Sequence, residues 1–262
     1  MKSQKLKQLL YNYYFCCFSS EENKNGPVFI IGTGRSGTHF LCSCMNHFPG
    51  LDDFFGGKES KYMFDFISEL TLYGQKLALP VIKYYHYMQK KVAPALFLDQ
   101  THPNIWHVEE LLMHFPKAKF IAISRDLYSV IFSMKNHRGV SDWARNHRQY
   151  PKPNNFLGIS AKNTNLYEEC LSDVQRYTFR WCAHEDRIRD LEESFPDSVL
   201  SVSYETLAYD MRNQMTRISE FIGVNPPVEY SEFSEQSVYK KESLTDTEVS
   251  EVAEALRLYY EH

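Results

Sequence analysis

The chain has 262 residues, 43% of them apolar and 15% aromatic, enough to bury a sizeable core in one large domain or two small ones, which excludes disorder for most of its length. Its 29 Lys and Arg against 33 Asp and Glu leave a formal net charge of −4, so no global positive field exists to hold duplex nucleic acid or an anionic membrane, and any anion site must be local. The 6 cysteines form no CxxC pair in a chain this long, which points to reduced thiols rather than a disulfide framework.

Residues 1–25 read as a tail or short helix. The run LLYNYYFCCF at 9–18 is interrupted by Asn12, falls well short of the ~20 apolar residues of a membrane helix and has no small-residue cleavage site. A cytoplasmic protein without a membrane span is the expectation, with residues 26–262 as a single domain. PVFIIG (27–32) predicts a buried strand, since Val28 to Ile31 are apolar, mostly β-branched and bounded by Pro27 and Gly32. After GTGRSGT, Phe40, Leu41, Cys44, Met45 and Phe48 recur at helical spacing up to Pro49. ALFLD (95–99) and AKFIAIS (118–124) predict two more buried strands around a helical stretch at 104–115, and SVLSVS (198–203) predicts a fourth. One long helix is expected over 166–193, where Cys170, Val174, Tyr177, Trp181, His184, Ile188 and Leu191 step alternately by four and three.

Two segments resist this alternation. Residues 138–165 read as a long irregular excursion of the lid or binding-loop kind, and 225–245 as another before a last helix opening at Thr245 or Asp246. The pattern as a whole implies an α/β fold of three layers, with a central, mainly parallel sheet and a P-loop-like phosphate-binding turn.

A glycine-rich turn between a buried strand and a helix aims several backbone N–H groups and the positive helix end at one spot, which is what holding phosphate requires. Residues 32–38 supply such a turn. Gly32 and Gly37 have the Walker A spacing, but Thr38 follows Gly37 directly, so the lysine that reaches the β and γ phosphates is absent and a nucleoside triphosphate is a poor candidate. Arg35 brings a planar fork for a terminal anionic group instead, and Ser36 and Thr38 bring hydroxyls. A second cation, Arg125, ends AKFIAIS, with Ser133 eight residues on, about two turns into a helix starting near Asp126. Alone, Arg125 and Asp126 read more simply as a strand-end ion pair with Asp126 as an N-cap.

Together the two motifs resemble the sulfotransferases that use 3′-phosphoadenosine 5′-phosphosulfate. GTGRSGTHF is similar to that family's 5′-phosphosulfate loop, and SRDLYSVIFS to its 3′-phosphate signature of an arginine followed by a serine. The likeness extends through FPKAKFIAISRD, the helix around Trp181 and SVSYETLAYDM to RISEFIGV, roughly residues 27–224, with a weaker match at KESLT (241–245). It implies that Arg35, Ser36, Gly37, Thr38, His39 and Phe40 hold the phosphosulfate end, and that Arg125 and Ser133 hold the 3′-phosphate. It further implies that Tyr204 lies near the adenine, that Phe40 stacks there, and that Lys241 reaches the phosphates from a closing C-terminal loop. The implied reaction moves a sulfuryl group from this co-substrate to a hydroxyl or amine, with no metal required. The acceptor class stays open among carbohydrate, peptide tyrosine and small alcohol.

Such a transfer needs a base for the acceptor's proton and positive donors around the moving group. His102, just beyond ALFLD, is one candidate, because neutral imidazole titrates near the working pH and a strand end faces the cleft. Glu59 is the other, lying where the tyrosylprotein and carbohydrate branches of the family carry a glutamate base. Gln100 stands where the cytosolic branch has a lysine and offers a hydrogen bond without charge. His184 and Trp181, on the apolar stripe of their helix, are expected in the core, and Cys42 and Cys44 are poor metal ligands because they face different ways. The basic stretch His137, Arg138, Arg145, His147 and Arg148 reads by default as solvated loop, and it would also suit an acceptor carrying negative charge. Pocket walls are expected from variable loops at roughly 50–95 and 138–165, with Tyr62, Phe64, Tyr84, Tyr85 and Tyr87 as candidates. A small-molecule P-loop kinase and a nucleotide-binding protein without turnover are the rival readings; Asp99 has no Walker lysine to support the first.

Overall fold

The computed structural model describes residues 26–56, 60–169, 172–227 and 244–261. Among them β1 (Val28–Gly32), β2 (Leu51–Asp52), β3 (Leu96–Asp99), β4 (Lys119–Ser124) and β5 (Val199–Ser203) form one sheet in the order β2, β3, β1, β4, β5. Every pairing is parallel, with β1 held between β3 (Val28 opposite Leu98) and β4 (Gly32 opposite Ile123).

The apolar runs follow from burial on both faces, as parallel strands require. Phe29, Ile31, Phe120 and Ala122 face one core with helices α2 (Lys61–Leu72), α3 (Leu79–Val92) and α4 (Val108–His114). Val28, Ile30, Ile121, Ile123 and Val202 face the other, covered by α1 (Thr38–Met45) and α10 (Met211–Ile222). The result is the three-layer α/β architecture expected. From β1 the chain runs outward to β2 and β3 on one side and returns to β4 on the other, so the carboxyl ends of β1 and β4 flank a crevice of the kind that binds ligands in open parallel sheets.

All four predicted strands are present; the two-residue β2 is too short to carry a pattern. The predicted helix at 104–115 begins as a 3-10 turn over His102–His107 and continues as α4. The single helix expected over 166–193 is two, α7 (Thr164–Glu169) and α8 (Asp173–Ser194), and Cys170 lies outside the described residues. The break has a local cause: Ser172 and Gln175 form a reciprocal capping box, the serine accepting from the Gln175 N–H and the glutamine side chain from the Ser172 N–H. Ser172 also donates to Glu251 on α11 (Asp246–Glu261), at 3.1 Å. Ser172→Ala is therefore expected to lower stability by about 1 kcal/mol or somewhat more. Urea unfolding reads this directly, and an unchanged midpoint would show that something else starts α8.

The segment 138–165 is more ordered than expected. It contains α6 (Arg138–Arg145) and short 3-10 turns at His147–Gln149 and Asn155–Leu157. Its helix was hidden because the buried face is Val140, Ser141 and Ala144, with one strongly apolar residue among them. The stretch 50–95 is likewise built on α2 and α3. Tyr84 and Tyr85 are fully buried in the core there, and do not form pocket wall. Among the described residues no helix is long and apolar enough to cross a membrane.

Candidate active site

β1 delivers the chain to a tight turn before α1. Ser36 closes it by donating both its N–H and its hydroxyl to the Thr33 carbonyl, at 3.0 and 2.6 Å. Arg35 holds a φ of 80°, a left-handed conformation that a side-chain-bearing residue adopts at a cost, and its side chain is exposed to the cleft. At Gly37, with φ 104°, a Cβ would stand 2.4 Å from the Tyr204 ring. At Gly34 it would stand 2.8 Å from the His102 ring. Both glycines thus let the Tyr204 and His102 rings press against the turn. No side chain caps the first turn of α1, which leaves its N–H groups for an anion, and the buried Thr33 hydroxyl has no partner.

The second motif leaves β4 beside this turn. The Asp126 carboxylate accepts from the Ser129 N–H at 2.8 Å and caps α5 (Leu127–Lys135), as the sequence indicated. Arg125 does not pair with it. The Arg125 guanidinium lies over the Tyr204 ring, 4.3 Å from its centroid, and the Tyr204 ring meets Phe40 at 5.4 Å. Ser133, two turns into α5, accepts from Arg35 Nε at 3.0 Å, which joins motifs 98 residues apart. Arg35, Ser36, Gly37, Thr38, Phe40, Arg125, Ser133 and Tyr204 therefore gather around one crevice. Trp181 is half-buried and donates from its indole to the Arg125 carbonyl at 3.1 Å, so a residue read as core in fact positions the second cation.

His102 lies on the other side of the turn. Asp99 at the end of β3 accepts from the Thr101 N–H and hydroxyl, from Asn104 and from the Tyr85 hydroxyl, which fixes the bend that presents His102. That employment leaves Asp99 buried in the scaffold. The His102 imidazole is buried between the edge of Phe64, 5.3 Å away, and Phe156, whose ring is parallel to it at 6.4 Å. Burial, and after it the charges of Arg180, His39, Arg35 and His137, hold its pKa well below the ordinary imidazole value, so the ring is neutral at physiological pH. Its Nδ1 is buried and has no hydrogen-bond partner among the described residues. A cleft of about 430 Å³ opens in front of it, bounded by Arg35, His39, Lys61, Phe64, His102 and Trp143. Glu59 and Lys241 lie outside the described residues. Gln100 is buried and does not line this cleft.

Of the basic stretch, Arg138 and Arg145 are solvated as expected and pair with Asp142 and Asp173, whereas His147 is buried against Tyr167. Trp143 and His137 from the same excursion form cleft wall, a role the sequence left open because which residues of the excursion meet the cleft depends on packing between distant elements. His184 is the packed histidine expected. Trp106 Nε1 donates to its Nε2, so its Nδ1 bears the proton and donates to the Arg180 carbonyl at 2.8 Å. Cys42 and Cys44 are buried thiols, and among the described residues no group of His, Cys, Asp and Glu side chains gathers in a way that could hold a metal ion.

Solved structures share this fold, two sulfotransferase domains among them. The sulfotransferase domain from the curacin biosynthetic pathway aligns with a TM-score of 0.56 at 14% identity, over 90% of this chain and 99% of that one. The sulfotransferase domain from the Synechococcus PCC 7002 olefin synthase aligns with a TM-score of 0.51 at 18% identity, over 93% and 96%. Curated proteins yield no match by sequence. A model of the family described as "Sulfotransferase family" matches residues 65–227, the stretch from α2 through the second cationic motif and Tyr204 to the end of α10. More than half of the chain carries that match, and the chain belongs to the sulfotransferase family.

Proposed function

We propose that the crevice binds 3′-phosphoadenosine 5′-phosphosulfate and transfers its sulfuryl group to a hydroxyl or amine of an acceptor seated in the 430 Å³ cleft. The contact between Arg35 and Ser133 carries this reading, because it brings the turn at 32–38 and the Arg125–Ser133 motif side by side. Support comes from the chemistry of the turn, where the uncapped N–H groups of the first turn of α1 and the exposed Arg35 fork are neighbours. In this reading Arg125 and Ser133 hold the 3′-phosphate, while Tyr204 and Phe40 pack the adenine. His39 lines the acceptor side of the same turn.

His102 accepts the acceptor's proton as the new S–O (or S–N) bond forms and the bond to the nucleotide's bridging oxygen breaks, releasing adenosine 3′,5′-bisphosphate. Arg35 and the backbone N–H groups bear the charge that develops on the sulfuryl and bridging oxygens, the role that magnesium takes in many phosphoryl transfers. Glu59 as the competing base, Lys241 as a further phosphate contact and residues 26–262 as one catalytic domain belong to the same proposal.

Calorimetry with adenosine 3′,5′-bisphosphate and with ATP plus magnesium tests the nucleotide. The bisphosphate is expected to bind about 10- to 100-fold more tightly, the worth of one added charged hydrogen-bonded group. Equal affinities would sink the assignment. Tight bisphosphate binding without turnover of labelled donor on hydroxyl and amine acceptors would leave a nucleotide-binding protein.

A further inference from the structure

Arg180, in the middle of α8, is 3% exposed, and among the described residues no carboxylate pairs with it. Its Nη1 donates to the Phe156 carbonyl at 2.7 Å, while Nε and Nη2 are buried with no hydrogen-bond partner. The guanidinium lies 3.9 Å from the centre of the Phe156 ring and 5.4 Å from that of Trp143. Burial lowers its pKa to about 9, which leaves it charged near neutrality. A buried cation without a counter-ion costs a fold several kcal/mol, and an apolar side chain of similar size would pack at this position without that cost. Stability does not account for it. The proposed active site lies behind the same aromatic ring: Phe156 carries Arg180 on its face and runs parallel to the His102 imidazole at 6.4 Å.

We propose that Arg180 is a positioning residue, a fixed positive charge held behind Phe156 that keeps the His102 imidazole unprotonated and ready to take the acceptor's proton. The inference rests on the reading of His102 as the base. Among the described residues, the other charged or titratable groups around His102 are Arg35 in the turn, His39 on α1, His137 ahead of α6, His184 on α8, and Lys61 and Asp65 at the cleft end of α2. Among these described residues, Arg180 is buried on α8 and fixed to backbone, whereas Arg35, His39, His137 and Lys61 are exposed to water, which screens any charge they carry. Asp99, the carboxylate nearest in sequence, is turned into Thr101, Asn104 and Tyr85. The two stacking distances cap the separation of guanidinium and imidazole at about 10 Å, where one charge in a protein interior shifts a pKa by roughly one unit. Burial acts in the same direction and is the larger cause.

The test pairs Arg180→Gln, which removes the charge and keeps an amide donor for the Phe156 carbonyl, with Arg180→Lys, which keeps the charge. The ring resonance of His102, assigned by its loss in His102→Asn, is followed by NMR from about pH 8 to about pH 4. The wild-type midpoint is expected well below that of a free imidazole, raised by roughly one unit in Arg180→Gln and little moved in Arg180→Lys. The acid limb of kcat/KM is expected to move upward with it. A wild-type His102 that titrates like free imidazole overturns the inference, and so does an identical midpoint in wild type and Arg180→Gln. The first measurement needs no variant at position 180, so a Gln variant that fails to fold does not remove the test. Wild-type turnover by His102→Asn would topple the base reading itself, a failure visible whatever the NMR midpoints are.

Discussion

His102→Asn is expected to lower kcat by roughly 10²- to 10⁴-fold, the usual worth of a positioned general base, while changing adenosine 3′,5′-bisphosphate affinity by no more than about threefold. The asymmetry follows from placement. His102 meets the turn at Gly34, on the side proposed for the acceptor, whereas Arg125, Tyr204 and Ser133 lie on the side proposed for the nucleotide. Asparagine keeps a polar group in the bend that Asp99 holds, so the fold should persist while proton acceptance is lost. Steady-state kinetics at saturating donor reads the effect, and kcat within about threefold of wild type would shift the base to Glu59.

The same substitution has a signature in stability. Folded His102 has a lowered pKa, and in the unfolded chain it titrates near ~6.5, so below that pH protons bind preferentially to the unfolded state. Its contribution is fully present above ~6.5 and is lost progressively as pH falls toward the depressed folded value. The variant lacks this contribution, and its thermal midpoint should fall less than that of the wild type between about pH 7 and about pH 5.

Arg125→Ala is expected to weaken adenosine 3′,5′-bisphosphate binding by about 10- to 100-fold, the value of one charged hydrogen-bonding partner, with a much smaller effect on nucleotides lacking the 3′-phosphate. Architecture is spared, because Trp181 holds the Arg125 backbone carbonyl and the Asp126 side chain caps α5 in either case. Arg125→Lys should fall between the two, since an ammonium keeps the charge but does not stack flat on Tyr204 as the guanidinium does. Calorimetric affinities that do not distinguish Arg125→Ala from wild type would remove the 3′-phosphate from this position.

Local signals carried much of this molecule. Val28–Ile31, Leu96–Asp99, Lys119–Ser124 and Val199–Ser203 could be found from apolar runs because a parallel strand buried on both faces has no polar side to hide it. The turn at 32–38 was legible for a similar reason: strand, glycines, Arg35 and hydroxyls are neighbours in the chain, and their chemistry is that of one contiguous stretch. Arg125 and Asp126 were visible too, though their division of labour was not, since which partner a strand-end arginine chooses depends on Tyr204, far along the chain.

Other features had no local signature. The helix break before α8 depended on a capping box inside an unbroken apolar stripe, and α6 on a buried face of mostly small residues. Trp181 and Arg180 sit one residue apart on a helix that reads as core, yet one holds the Arg125 carbonyl and the other stacks behind the wall of the His102 cleft. What the amino-acid order determined by itself was the layered α/β scaffold and the make-up of the turn at 32–38 and of the Arg125–Ser133 stretch, because periodicity and glycine turns act over a few residues. What only the tertiary structure decided was which distant residues meet, Arg35 with Ser133, the Gly37 backbone with the Tyr204 ring and the Gly34 backbone with the His102 ring, because burial, stacking and charge act through space across elements that the sequence keeps apart.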